Sequence, residues 1–149
     1  MLSDKNFINI AREISSASKC VSKQVGAVIV REGRILSTGY NGTPAGYTNC
    51  CEHWDGEYTK DHHEWSKTYE IHAEMNAIIW AARKGISIEG ATIYVTLEPC
   101  SECSKNLIAS GIKRIVYEKA YEHTNSNVIS KFIKDNNVII EQLKIEKHI

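Results

Sequence analysis

Ala91-Thr92-Ile93-Tyr94-Val95-Thr96-Leu97-Glu98-Pro99-Cys100-Ser101-Glu102-Cys103 joins two different periodicities. The β-branched and aromatic run from Ala91 to Thr96 reads as a buried strand. Pro99 presets the backbone for a helix that begins at Cys100. The alternation repeats toward the C-terminus, with a strand at Arg114 to Glu118, a helix near Asn125 to Asp135 and a last strand at Val138 to Gln142. Toward the N-terminus, Ile71, Met75, Ile78, Ile79 and Ala82 predict one helix from about Ser66 to Lys84, ended by Gly85. Val25 to Val30 is a second β-branched run, Glu32-Gly33 turns the chain, and Arg34 to Tyr40 returns it as a hairpin. Phe7, Ile10, Ala11, Ile14 and Ala17 recur at helical spacing behind Ser3-Asp4, which can cap that helix. Helices and strands alternating after an opening hairpin predict an α/β sheet covered by helices.

Residues 42–63 break the pattern. They hold Gly42, Pro44, Gly46 and Gly56 together with Cys50, Cys51, His53, His62 and His63 and show little periodicity. A loop of this length in a compact domain usually has a function or a tether.

A chain of 149 residues suits a single domain spanning residues 1–149, with a core that needs no disulfides. Lys plus Arg and Asp plus Glu both number 18, so the net charge is zero. That balance argues against a nucleic-acid backbone or an anionic membrane as partner and favours a small molecule. No signal-like start and no run near ~18 apolar residues is present, which predicts a soluble, cytoplasmic chain. Five cysteines, an odd number, point to metal more readily than to disulfides in that compartment.

His72-Ala73-Glu74 opens or sits early in one predicted helix, and Pro99-Cys100-Ser101-Glu102-Cys103 opens the next. Two helix N-termini can therefore aim one imidazole and two thiolates at a common point. Zinc suits that donor set, and a catalytic zinc keeps three protein ligands with a fourth position open. Glu74, two residues after His72, can lean over the open position as a proton carrier. Alone, a His-x-Glu is common, and a Cys-x-x-Cys could be a redox pair or half of a structural site. Together, in this order, they match the zinc-deaminase signature of His-x-Glu followed by Pro-Cys-x-x-Cys.

Through those motifs, and through Ser18-Lys19-Cys20, Gly39-Tyr40-Asn41-Gly42-Thr43-Pro44-Ala45-Gly46 and Asn49-Cys50-Cys51, the sequence resembles the cytidine deaminase superfamily. More narrowly it resembles the deoxycytidylate (dCMP) deaminases, phage-encoded members included. The resemblance implies a three-layer α/β/α fold with a central five-stranded mixed sheet. It implies hydrolysis of dCMP to dUMP and ammonia, feeding thymidylate synthesis, in the host cytoplasm if the chain is phage-encoded. It places Asn41, Ala73 and Tyr121 at the nucleotide. From the residues alone, Asn41 before Gly42 is a turn residue and Tyr121 a surface aromatic.

The resemblance also implies a second, structural zinc on Cys20, Cys50, His62 and Glu70, with Cys51 or His63 able to replace its neighbour. A closed four-ligand site would tether the long loop to the end of the first helix. It further implies a hexamer, with Trp80 and Arg83 at the subunit interface, activated by dCTP with Mg2+ and inhibited by dTTP. The candidate allosteric residues are Asn41, Gly42, Pro44 and Gly46. Two rival readings are a deaminase acting on tRNA or single-stranded DNA, against which the zero net charge weighs, and a non-enzymatic zinc-stabilised module.

Overall fold

A computed structural model describes residues 1–53, 60–121 and 126–144, with the side chains of residues 126–128 outside that description. The elements run α1 (Asp4–Ser15), β1 (Gly26–Arg31), β2 (Arg34–Tyr40), α2 (Cys50–His53), α3 (Lys60–Tyr69) and α4 (Ala73–Lys84). They continue through β3 (Thr92–Leu97), α5 (Ser101–Ala109), β4 (Arg114–Lys119), α6 (Ser126–Asp135) and β5 (Ile139–Gln142). Gly56 and Asn125, named above in a loop and at a helix start, lie outside the described residues.

The five strands form one mixed sheet in the order β2-β1-β3-β4-β5. β1 is antiparallel to both β2 and β3, and β3, β4 and β5 run parallel. The hairpin closes through Glu32 and Gly33, both at positive φ (54° and 73°), as a tight two-residue turn between right-twisted strands demands. Because side chains alternate along a strand, the three inner strands β1, β3 and β4 each feed two cores. Val28, Val30, Tyr94 and Val116 meet Phe7, Ile8 and Ala11 of α1 on one face. Ala27, Ile29, Ile93, Val95 and Ile115 meet α4, α5 and α6 on the other. The expected three-layer α/β/α arrangement is the one observed. α1 starts at a capping box, in which the Ser3 side chain accepts from Asn6 N and the Asn6 side chain accepts from Ser3 N.

The single helix expected from Ser66 to Lys84 is two helices. Ile71 leaves the helical path to exchange both backbone hydrogen bonds with Gly42, at 2.8 and 3.1 Å, and this bridge breaks the chain between Tyr69 and Ala73. Ile71 fits a 3.6-residue period with the apolar residues that follow, so the pattern hides the break. The buried stripe of α4 is also rotated from the expected one. It consists of Ala73, Ala77 and Ala81, whereas Ile79 and Trp80 are exposed. Small residues are required there because the backbone of α4 lies directly on β2. A Cβ on Gly39 would collide with the Ala73 carbonyl, and Ser37 Oγ donates to the Ala77 carbonyl at 2.7 Å.

Candidate active site

His72 is the extended N-cap residue of α4 and Cys100 that of α5, so the two helix starts face each other beside the carboxyl end of β3. His72 Nδ1 lies 3.3 Å from Cys103 Sγ and 3.6 Å from Cys100 Sγ. One donor atom from each of the three residues falls within 4.8 Å of the others. Cys103 is buried, Cys100 half-buried and His72 exposed, so the cluster opens on one side. Glu74 is 4% exposed, one helical step inside that opening.

The electrostatics of these groups are those of a metal-ligand set. Hydrogen bonds from Cys103 and His72 hold the Cys100 thiol down at about 4. The hydrogen bond to Cys100, together with burial, pushes Cys103 up. The hydrogen bond to Cys100 raises His72, with burial opposing. Burial raises Glu74 against hydrogen bonding to Cys103 and the nearby His72. Two cysteine sulfurs and an imidazole nitrogen this close together offer the soft N/S donors that bind zinc. The donor set fits a three-ligand zinc with an open fourth position.

A second cluster joins Cys20, Cys50, His62 and Glu70, again within 4.8 Å. Cys50 Sγ lies 3.0 Å from His62 Nε2, and Cys20 Sγ 3.8 Å from Glu70 Oε1. Cys50 and His62 are buried, and burial drives the Cys50 thiol up to about 12. Glu70 Oε2 is buried with no hydrogen-bond partner among the described residues. A carboxylate oxygen in that state is costly unless a cation faces it. The cluster fits a closed four-ligand zinc. Cys51 and His63, the alternative ligands, are exposed and lie outside it.

The Asn41 side chain spans the start of β1, accepting from Val25 N and donating to the Lys23 carbonyl, both at 2.8 Å. Ala73, between His72 and Glu74, is fully buried in the core against β2. Tyr121 donates its backbone N–H to Glu98 Oε1 at 3.0 Å, just before Pro99-Cys100. The loop residues Gly42, Pro44 and Gly46 line a separate cavity of about 490 Å³ with Tyr47 and Glu70, and Asn41 is not on its wall. Thr43 Oγ1 is buried there without a hydrogen-bond partner among the described residues. Residue patterns did not foretell that Tyr47 stacks on Tyr69, with ring centroids 5.4 Å apart, or that Tyr69 meets Trp65 at a tilt of 44°. The i, i+4 spacing of Trp65 and Tyr69 was the available signal.

Residues 1–119 match the model of the cytidine and deoxycytidylate deaminase zinc-binding region. The chain belongs to this family. It is an enzyme of the deaminase class, a hydrolase. It is 45% identical over 148 residues to the deoxycytidylate deaminase of Enterobacteria phage T4, with 77% of each chain covered. It is 39% identical over 122 residues to that of Mycobacterium phage D29, covering 78% of this chain and 94% of the relative. Among solved structures, the dCMP deaminase of cyanophage S-TIM5 in complex with dCMP and dUMP superposes with a TM-score of 0.77. It is 33% identical, with 93% and 95% of the two chains covered. Among the described residues no helix is long and apolar enough to cross a membrane.

Proposed function

We propose that this chain, acting as one catalytic domain in the cytoplasm, hydrolyses dCMP to dUMP and ammonia and so supplies dUMP for thymidylate synthesis. The observation that carries the reading is the convergence of His72, Cys100 and Cys103 on an open point beside buried Glu74. The substrate comes from the relatives, which are deoxycytidylate deaminases, one of them solved with dCMP and dUMP.

His72, Cys100 and Cys103 hold zinc, which when bound supplies the Lewis acidity that activates water at neutral pH. Glu74 takes a proton from the water that attacks C4, delivers it to ring N3, and carries the second proton to the departing amine. Its burial raises its proton affinity and keeps bulk water from competing for the transfer. Asn41, fixed by its two backbone bonds, presents its remaining amide hydrogen to the sugar, while Ala73 walls the base and Tyr121 lines the mouth. Cys20, Cys50, His62 and Glu70 hold a second zinc as a tether.

Regulation falls to the cavity under Gly42, Pro44 and Gly46, together with Asn41, with dCTP and Mg2+ activating and dTTP inhibiting. The exposed apolar face of α4 at Ile79 and Trp80, with Arg83 beside it, supports assembly, and a hexamer is the proposed form. Ammonia release should be assayed on dCMP, deoxycytidine and dCTP, with and without dCTP and dTTP as effectors. Turnover of dCMP above the others supports the reading. Turnover of none of them, in protein with zinc bound, overturns it.

A further inference from the structure

We infer that Asn76 is a positioning residue of this site, whose side-chain amide fixes His72 relative to Asn41. This rests on the reading above, in which Asn41 meets the sugar and His72 holds the metal. Asn76 lies in the first turn of α4, four residues after His72. Its Nδ2 carries two hydrogens and donates to two carbonyls, that of Tyr40 at 2.7 Å and that of Ile71 at 3.4 Å. A peptide unit is planar, so holding a carbonyl also holds the unit that ends at the next Cα. Those next residues are Asn41 and His72. The backbone N–H of Asn76 donates to the His72 carbonyl at 2.9 Å, so one residue holds both peptide units that flank His72.

The two helix starts show why His72 needs this support. Cys100, the N-cap of α5, accepts from Cys103 N through its own side chain, so that pair of ligands braces itself. His72, the N-cap of α4, makes no side-chain capping bond, its imidazole being turned to Cys103. Its backbone is braced from elsewhere, by the Ile71–Gly42 bridge and by Asn76. The bridge holds the residue after Asn41, and Asn76 holds the residue before it. Asparagine is a weak helix former, and this one caps neither end of α4. The competing explanation is that its amide serves the stability of the helix start alone. Activity would then follow only the amount of folded, zinc-loaded protein.

The test compares wild type, Asn76→Ala and Asn76→Asp on dCMP, with kcat expressed per folded, zinc-loaded chain. Asn76→Asp keeps the shape and loses both donors. In both variants kcat should fall by about 10²-fold, the scale of a misplacement near 1 Å at the reacting centre, while KM moves far less. A kcat near wild type in either variant, or a loss confined to KM, overturns the assignment. If wild type turns over deoxycytidine in place of dCMP, the same comparison is read on deoxycytidine. If zinc-loaded wild type deaminates no cytosine compound, the reaction reading fails by itself. The rate of zinc loss to a chelator then decides Asn76, read on the phase that is missing in Cys100→Ser. Loss roughly ten- to a hundredfold faster in Asn76→Ala supports the assignment, and an unmoved rate rejects it.

Discussion

Glu70 belongs to one metal-capable cluster and His72 to the other, with only Ile71 between them, and the two clusters differ in donor count, exposure and framework. The His72 cluster has three donors, opens to solvent at His72 and has a buried carboxylate, Glu74, beside it. Its donors sit at the first turns of two helices packed on the sheet, so the core sets their positions. The Glu70 cluster has four donors drawn from the loop between α1 and β1, from α2, from α3 and from the residue after α3. Little apolar core lies under those pieces: α2 buries Cys50 and α3 buries His62. On the proposed reading the same metal chemistry serves opposite ends: where the sheet supplies order, three ligands would leave a position for chemistry, and where the chain supplies little order, four ligands would provide it.

The largest effect expected is at the open cluster. Cys100→Ser or Cys103→Ser should remove one zinc per chain and take activity to background together, because thiolate is what holds the ion at neutral pH. Elemental analysis showing full zinc with retained activity would remove these residues as ligands. Glu74→Gln separates the ligands from the proton carrier. The fold and zinc content should persist while kcat falls by at least ~10²–10⁴-fold, the usual worth of one acid–base role. A turnover near wild type would show that Glu74 only fills space.

At the closed cluster the order of effects should reverse. Cys20→Ala should lower the zinc count from close to two per chain toward one, and lower the melting temperature, while His72, Cys100 and Cys103 stay loaded and measurable activity survives. Lost activity should be partial and trace to Ile71, which stands between Glu70 and His72 and is bridged to Gly42. One zinc per chain in unmutated, chelator-free protein would mean that Cys20, Cys50, His62 and Glu70 make a buried polar cluster and no metal site.

The open cluster was easier to read in the sequence than the closed one, for a physical reason. His72, Glu74, Cys100 and Cys103 lie in two short motifs because helix N-caps place neighbours in sequence at neighbouring points in space. Cys20, Cys50, His62 and Glu70 come from four stretches, and no local spacing encodes their meeting. Only the resemblance to a known family pointed to them, and only the structure separates Cys50 from Cys51 and His62 from His63. The sheet was legible because β1, β3 and β4 are β-branched runs with clear ends. The break at Ile71 and the alanine face of α4 were not, since both depend on how closely α4 approaches β2, a distance that hydrophobic periodicity does not carry.

The smallest effect concerns a site remote from both clusters and separates lost stability from lost metal. Asp4 at the start of α1 takes two hydrogen bonds from Arg114 of β4, at 2.7 and 2.9 Å, and one from Tyr94 of β3, at 2.6 Å. Led by the Arg114 hydrogen bond, these lower its carboxyl from 3.8 to about 2, against the opposing effect of burial. A depressed carboxylate stabilises the fold fully above its unfolded value of 3.8 and loses that contribution as pH falls from there toward about 2. Asp4 is 37% exposed, so solvent screening limits the contribution to about 1 kcal/mol. Asp4→Asn should therefore lower the melting temperature by ~3 °C at neutral pH, with the deficit shrinking below pH 3.8, and should leave the zinc content of both clusters unaltered. If Asp4→Asn instead released zinc, a fall in stability at Cys20 could no longer be assigned to the metal, because general loosening of α1 would suffice to empty a site whose Cys20 lies in the loop that follows α1.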